Sequence, residues 1–344
     1  MITFPCRSGP SNPLSRCPIY PDWRRALADA VTDRAELCRL LGLPPSLVVS
    51  SMGAGGAHPL LVPRTYLARI EPGNPKAPLL LQVFPQEEEV SEQPGFIKDP
   101  LGEAAAARGP GLLGKYRSRF LIVTTQRCAV HCRFCFRRHF PCGKVPRSPS
   151  EWGEILRRIR SEPSVREVIL SGGDPLCLED GFLAELAQQL AAIAHVRRLR
   201  VHTRLPIMIP QRVTEELIGW LRGTRLVPIL VLHVNHPAEI DDAVAAALGR
   251  LVEGGIPVLS QSVLLRGVND RVDVLAELFE RLVDLRVMPY YLHQLDRVLG
   301  AAHFEVPEQR GIALVRQLRA RLPGYAVPRY VRETPGMSHK WVLA

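Results

Sequence analysis

Three cysteines, Cys128, Cys132 and Cys135, stand at a C-x3-C-x2-C spacing directly after the apolar run 120–125 (FLIVTT), which reads as a buried strand. Three thiolates on one tight loop make a metal site. A [4Fe–4S] cube held by four cysteines is coordinatively closed and mostly passes electrons, whereas a cube held by three leaves one iron open to a small ligand. A structural zinc site is the competing reading. It needs a fourth ligand, which Cys142, His131 or His139 could supply, although finger and ribbon sites usually draw two ligands from each of two separated knuckles. Cysteines also serve as small buried apolar residues, a poor fit for three at these spacings among so many arginines.

Other residues with chemical potential follow. Gly172-Gly173-Asp174-Pro175 closes a second apolar run. Adjacent glycines let the backbone approach a ligand and leave its N–H and C=O groups bare, though a GGD tripeptide alone is equally a plain turn. The pair Arg137-Arg138 can be a basic turn, and a guanidinium beside a cluster is also suited to bidentate capture of a substrate carboxylate, with Arg137 the candidate. The chain holds five lysines, at 76, 98, 115, 144 and 340, among 44 basic residues. Against that skew, Lys340 poses a chemical question, because lysine can lose its proton in a suitable pocket and form a Schiff base with pyridoxal 5′-phosphate (PLP). A frayed lysine without a role is the competing reading.

The elements that must position these groups are visible as a change of texture after Tyr116. Apolar, β-branched runs at 120–125, 167–171, 198–203, 227–234, 257–265 and 287–294 alternate with helical patterns at 150–161, 179–193, 212–222, 239–253, 271–285 and 307–322. Six β/α units in order predict parallel strands joined by helical crossovers, and six are too few to close an eight-stranded barrel. The expected fold is α/β, an open partial (β/α)6 barrel with a cleft. The expected strand ends carry the cysteine loop, Ser171 to Asp174, His202-Thr203-Arg204, His233 to His236, Gln261 and His293 to Asp296. In β/α barrels chemistry is built at that rim. Before the barrel, residues 1 to about 20 read as poorly ordered, and 22–43 as two helices broken at Thr32-Asp33. EPGNP and KDPLGE read as surface connections and QEEEV as a solvated face. The expected division is a mostly helical extension over 1–115, the barrel over 116–325 and a strand with a lysine tail over 326–344.

A chain of 344 residues can bury a substantial core. No apolar run approaches the roughly 18 residues of a membrane span, and the N-terminus has no uninterrupted apolar segment of the secretory kind. A cytoplasmic protein with reduced cysteines is expected, with no membrane partner. Cys6, Cys17, Cys38 and Cys177 carry no spacing signal. The net charge of +10 raises nucleic acid as a partner, but the basic residues are spread over helices without interleaved aromatics, so no stacking platform is predicted.

The cysteine spacing resembles the signature of radical S-adenosylmethionine (SAM) enzymes. The stretches CRFCFRRHF, SGGDP, RLPIMIPQRVTEEL, HVNHPAEID, GGIPVLSQSVLLRGVND, MPYYLHQLDRVLGAAHF and GYAVPRYVRETPGMSHK extend the resemblance, over nearly the whole chain, to the lysine 2,3-aminomutase family. That resemblance implies a partial barrel with a [4Fe–4S] cluster on Cys128, Cys132 and Cys135, and SAM contacts at Gly172, Gly173, Asp174 and Gln261. It further implies PLP on Lys340, with Lys115, Tyr116 and Arg119 in the phosphate-contacting segment. Conversion of L-lysine to (R)-β-lysine by 2,3-amino migration is the implied isomerisation, with Arg137 on the substrate carboxylate and Asp296 and Glu333 on its ε-ammonium. Glu333 departs from the family's aspartate by one methylene. The sequence stops four residues after Lys340, where lysine-degrading members continue with a further cysteine-containing segment. That ending, with RRHFP and GAAHF, resembles the branch that supplies β-lysine to a separate ligase acting on elongation factor P (EF-P). A flavodoxin- or ferredoxin-like reductant is implied as the electron donor.

Overall fold

A computed structural model describes residues 19–51, 53, 54, 56, 58–140, 145 and 152–344. One sheet of ten strands runs in chain order: β1 Ala107–Gly109, β2 Leu112–Tyr116, β3 Arg119–Thr125, β4 Glu167–Gly172, β5 Arg198–Thr203, β6 Val227–His233, β7 Val258–Val263, β8 Met288–His293, β9 Arg329–Arg332 and β10 Trp341–Val342. Strands β3 to β9 pair in parallel, each with the next. The other strands pair antiparallel at the two ends, β1 and β2 before β3 and β10 after β9. The sheet stays open, with β1 and β10 at its edges.

The six expected strands are present, and the five crossovers expected between them are the helices Trp152–Arg160, Asp180–Ala191, Glu215–Arg222, Asp242–Glu253 and Val272–Asp284. Helix Glu308–Arg321 then leads to β9, a strand within the segment 326–344 where one was expected, and it pairs with β8 as a seventh parallel strand. The hairpin β1–β2 was missed, and it moves the expected boundary at 115/116 inside β2, which is hydrogen-bonded to β3. The extension and the barrel share one core, in which Trp23, Leu37, Tyr66 and Leu80 belong to the same buried cluster as Val168, Leu230 and Tyr330.

The N-terminal helices form as their spacing predicts, at Trp23–Ala28 and Arg34–Leu41. Asp22 and Asp33 cap them by accepting the N–H groups of Arg25 and Glu36. Docking of the first helix depends on charge as well as area. The fully buried Arg212 lies over the Trp23 ring at 4.7 Å and donates to both oxygens of Asp180, which also accepts from Trp220 Nε1 at 2.7 Å. Asp180→Ala strands a buried guanidinium, so urea denaturation of the apoprotein should show a loss of about 3–5 kcal/mol. Among the described residues no helix is long and apolar enough to cross a membrane.

Candidate active site at the mouth of the barrel

The register of the parallel strands gathers their C-terminal ends on one rim. Val123 lies beside Ser171, His202 beside Val231, His233 beside Gln261 and Val263 beside His293. Immediately beyond β3 comes the cysteine loop, tied down from both sides. His131 N–H donates to Leu61 O at 3.0 Å and Arg133 N–H to Gln82 O at 2.9 Å, so the N-terminal segment holds its outer face. On the inner face Gly173 N–H donates to Thr125 O and Asp174 N–H to Arg127 O, both at 2.7 Å.

These contacts change the reading of the two glycines. A Cβ on Gly172 would meet Thr125 O at 2.5 Å, and one on Gly173 would meet Arg127 O at 2.2 Å. What the missing side chains allow is close packing of β4 against the cysteine loop, and the two N–H groups after Gly172 are spent on that loop. Asp174 is equally committed. Its buried carboxylate accepts from Thr203 Oγ1 and from the N–H groups of Leu176, Arg204 and Leu205, all within 3.0 Å. Burial pushes its pKa up, against the pull of those donors. The tripeptide therefore latches the ends of β3, β4 and β5 together. Gln261 lies half-buried on β7, level with His233.

Burial raises the Cys128 thiol well above its ordinary range, with Cys135 the next contributor, and pushes Cys135 up to about 11, with Cys132 next. The three sulfurs burden one another, as neighbours on one site must. Arg204 donates through Nη1 to Cys132 Sγ at 2.7 Å. The donor set suits an iron–sulfur cube, whose positive irons would supply the charge that burial otherwise denies to thiolates. Among the described residues no three His, Cys, Asp or Glu side chains converge for a single metal ion. The zinc alternative finds its histidines engaged elsewhere, His131 Nδ1 with Pro59 O and His139 Nε2 with Leu299 O. Cys142, Cys6 and Cys17 lie outside the described residues. Cys38 packs in the N-terminal core, and Cys177 is buried near enough to Cys128 to raise its pKa further.

A chain of charges crosses the mouth. The antiparallel register of β10 on β9 pairs Trp341 with Arg332, which carried one step outward sets Lys340 opposite Glu333. One Glu333 oxygen accepts from Lys340 Nζ and the other from Lys115 Nζ at 2.8 Å. Lys115 also lies 3.3 Å from Glu103, and Glu103 receives Arg137 Nε and Nη2 at 2.8 Å each. Arg137 Nη1 donates to Ser171 Oγ at 2.9 Å and Gly172 O at 3.2 Å. The order is thus Arg137, Glu103, Lys115, Glu333, Lys340. Burial opposes ionisation of Glu333, yet Lys340 and Lys115 outweigh it and hold the carboxyl well below its usual range. In the ligand-free protein the fork of Arg137 is engaged by Glu103, and Glu333 is engaged by two lysines.

Asp296 is different. Among the described residues no basic side chain hydrogen-bonds to it, and burial followed by the charge of Glu333 pushes its pKa up to about 7 despite Lys340 and Lys115 nearby. Among the described residues, Arg119 Nε, His202 Nε2 and His233 Nε2 are also buried polar atoms without hydrogen-bond partners. The Arg119 guanidinium lies 4.9 Å from the Tyr116 ring centroid, and burial followed by the charge of Glu333 pushes the Tyr116 hydroxyl pKa up. Lys115, Tyr116 and Arg119 therefore sit together beside Lys340, and an unsatisfied guanidinium N–H among them suits an anionic ligand.

The sequence reading missed several supporting residues. Glu89, in the QEEEV stretch read as solvated, is buried and accepts from Arg133 Nε at 2.8 Å and Arg138 Nη2 at 2.6 Å, fixing these two arginines of the cysteine loop. Glu103, in a segment read as a surface connection, starts helix Glu103–Ala106 and is oriented by Asp99, which caps that helix through the N–H groups of Glu103 and Ala104.

Comparison with known proteins places these features in context. The Radical SAM superfamily profile matches residues 122–279. The chain is 44% identical to the L-lysine 2,3-aminomutase of Escherichia coli (strain K12), over 95% of each protein. With the L-lysine 2,3-aminomutase of Haemophilus influenzae it is 42% identical over 94% of this chain and 96% of that one. With that of Clostridium subterminale it is 36% identical over 92% of this chain and 76% of the relative.

Proposed function

The chain belongs to the lysine 2,3-aminomutase family of radical SAM enzymes, and from that premise we propose that it converts L-lysine to (R)-β-lysine with the help of PLP. The single observation that carries the substrate assignment is Asp296, a half-buried carboxyl to which no basic side chain among the described residues hydrogen-bonds and whose pKa desolvation and then Glu333 push up to about 7. A desolvated anion calls for a paired positive charge. The ε-ammonium of lysine supplies one, and its arrival returns Asp296 to the ionised form.

The other roles follow from the same geometry. Cys128, Cys132 and Cys135 hold the [4Fe–4S] cluster, and the mouth around Gly172, Gly173, Asp174 and Gln261 receives SAM. When bound, the cluster and SAM would supply a carbon-centred radical that removes hydrogen from the substrate; Lys340 would hold PLP at rest and give it up to the substrate's α-amino group, so that the cofactor would carry the migrating nitrogen while the Lys340 amine is released. Lys115, Tyr116 and Arg119 take the cofactor's phosphate, which answers the unpartnered Nε of Arg119. Arg137 binds the substrate carboxylate, and Glu103 is the group that yields to it. In the protein without ligands Glu103 gives that guanidinium a carboxylate partner, and the substrate brings the same chemical group. Glu333, which accepts from Lys340 and Lys115 in the ligand-free protein, is the second acid for the ammonium.

We further assign the product to modification of EF-P by a separate ligase, and the electron to a flavodoxin- or ferredoxin-like donor. Incubating the anaerobically reconstituted protein with equal amounts of lysine, norleucine and glutamate tests the substrate assignment. Lysine carrying 15N on its α-amino group should yield β-lysine with the label on C3, and the other two should be converted far more slowly. Preferential conversion of norleucine would remove the role given to Asp296. EF-P from cells lacking this enzyme should lack the β-lysyl mass increment, and an unchanged EF-P mass would exclude that destination.

A further inference from the structure

Arg204 follows β5 and is buried, with 7% of its surface exposed. Its fork is divided between two tasks. Nη1 reaches Cys132 Sγ at 2.7 Å, while Nη2 donates to Gln82 Oε1 at 2.7 Å and lies 3.2 Å from Glu239 Oε2. The guanidinium sits 5.9 Å from the Tyr66 ring centroid and 5.5 Å from that of Phe134, so apolar faces restrict it further. Its own N–H is fastened to Asp174 at 2.7 Å.

The partners are themselves held. Glu239 Oε1 accepts from Gln82 Nε2 at 2.8 Å and from Asn235 N–H at 3.3 Å, and Asn235 Nδ2 donates to Gln82 Oε1 at 2.9 Å. Gln82, Asn235 and Glu239 have no exposed surface. Arg204 Nε has no hydrogen-bond partner among the described residues, but both Nη atoms are engaged and their partners are dry, so the network keeps its geometry and screens little, and charge placed in it acts strongly on its neighbours.

Cys132 takes an N–H from a charged side chain. A donor on a ligand sulfur draws electron density from it and stabilises the reduced cluster, and a nearby positive charge does the same. A carboxylate works in the opposite sense. We propose that Arg204, Gln82 and Glu239 form a unit that sets the reduction potential of the cluster, Arg204 raising it through Cys132 and Glu239 limiting the rise. Arg204 acts through a ligand, so it is a positioning residue, and the inference is independent of which amino acid the enzyme rearranges.

The test is an anaerobic redox titration of the reconstituted protein followed by electron paramagnetic resonance, with iron and sulfide content measured alongside. Arg204→Met should make the cluster harder to reduce by at least tenfold in the one-electron equilibrium, about 59 mV. Arg204→Lys, which keeps the charge, should recover part of that shift, and Glu239→Gln should move the potential the other way. A merely structural role would not give opposite signs at the two positions. An intact cluster in Arg204→Met with an unchanged potential overturns the proposal. If Arg204→Met does not assemble the cluster, Glu239→Gln decides alone: a positive shift supports the proposal, and no shift or a negative one overturns it.

Discussion

Lys340→Ala should abolish amino migration while leaving iron, sulfide and the fold in place. The fold survives because Glu333, which loses one partner, keeps Lys115 at 2.8 Å. Trp341 and Val342 still pair with β9 through backbone groups, so the hairpin that carries residue 340 does not depend on its side chain. What disappears is the amine that anchors the cofactor. Turnover should fall below detection, with uncoupled SAM cleavage persisting and the visible absorbance of bound PLP lost. Retained β-lysine formation would remove PLP attachment from Lys340, and loss of iron would show that residue 340 serves the fold.

Asp296→Asn should act in opposite directions on catalysis and on stability. With a native pKa of about 7 against an ordinary value of 3.8, the folded protein binds this proton more tightly than the unfolded chain does. Stability therefore falls as pH rises from the ordinary carboxyl range through about 7, and the full penalty stands above that. Removing the charge should raise the stability of the ligand-free protein at pH 8 by on the order of 1–4 kcal/mol, with little change at pH 4. The same substitution leaves the bound ammonium without its counter-ion, so kcat/KM for lysine should drop about 100-fold or more. Norleucine, which has no ammonium, should lose nothing. In the wild type the affinity for lysine should strengthen as pH rises through 7, since Glu333, Lys340, Lys115 and Glu103 all face Asp296 and leave it the group that titrates there. Equal losses for lysine and norleucine would show that Asp296 shapes the pocket without reading charge.

Much of this was written locally in the chain. The cysteine spacing, the six alternating strand and helix patterns, and the collection of polar residues at strand ends each depend on neighbours within a few positions, and each is found in the structure. Residues whose meaning depends on distant partners were not legible. Glu103 meets Arg137 across 34 positions, and Glu89 meets Arg133 across 44. Gln82 meets Arg204 across 122, and Lys115 meets Glu333 across 218. A glutamate in an acidic run has the same local signature whether it is solvated or buried between two arginines. The GGD segment shows a subtler limit: its glycines signalled a close approach, but the approaching group is the cysteine loop's backbone. The free acid at 296 and the engaged acid at 333 likewise look alike in sequence, and only the hairpin register that places Lys340 opposite Glu333 separates them.

The most direct measurement is an anaerobic incubation of the reconstituted, PLP-loaded protein with L-lysine, SAM and dithionite, followed by chromatographic separation of α- and β-lysine. The account predicts β-lysine that requires SAM, reductant and PLP together. Accumulation of deoxyadenosine without β-lysine, from protein shown to hold a [4Fe–4S] cluster, would contradict the substrate assignment built on Asp296 and Arg137. A correctly folded protein that holds no iron after reconstitution would contradict the site at Cys128, Cys132 and Cys135 from which the rest follows.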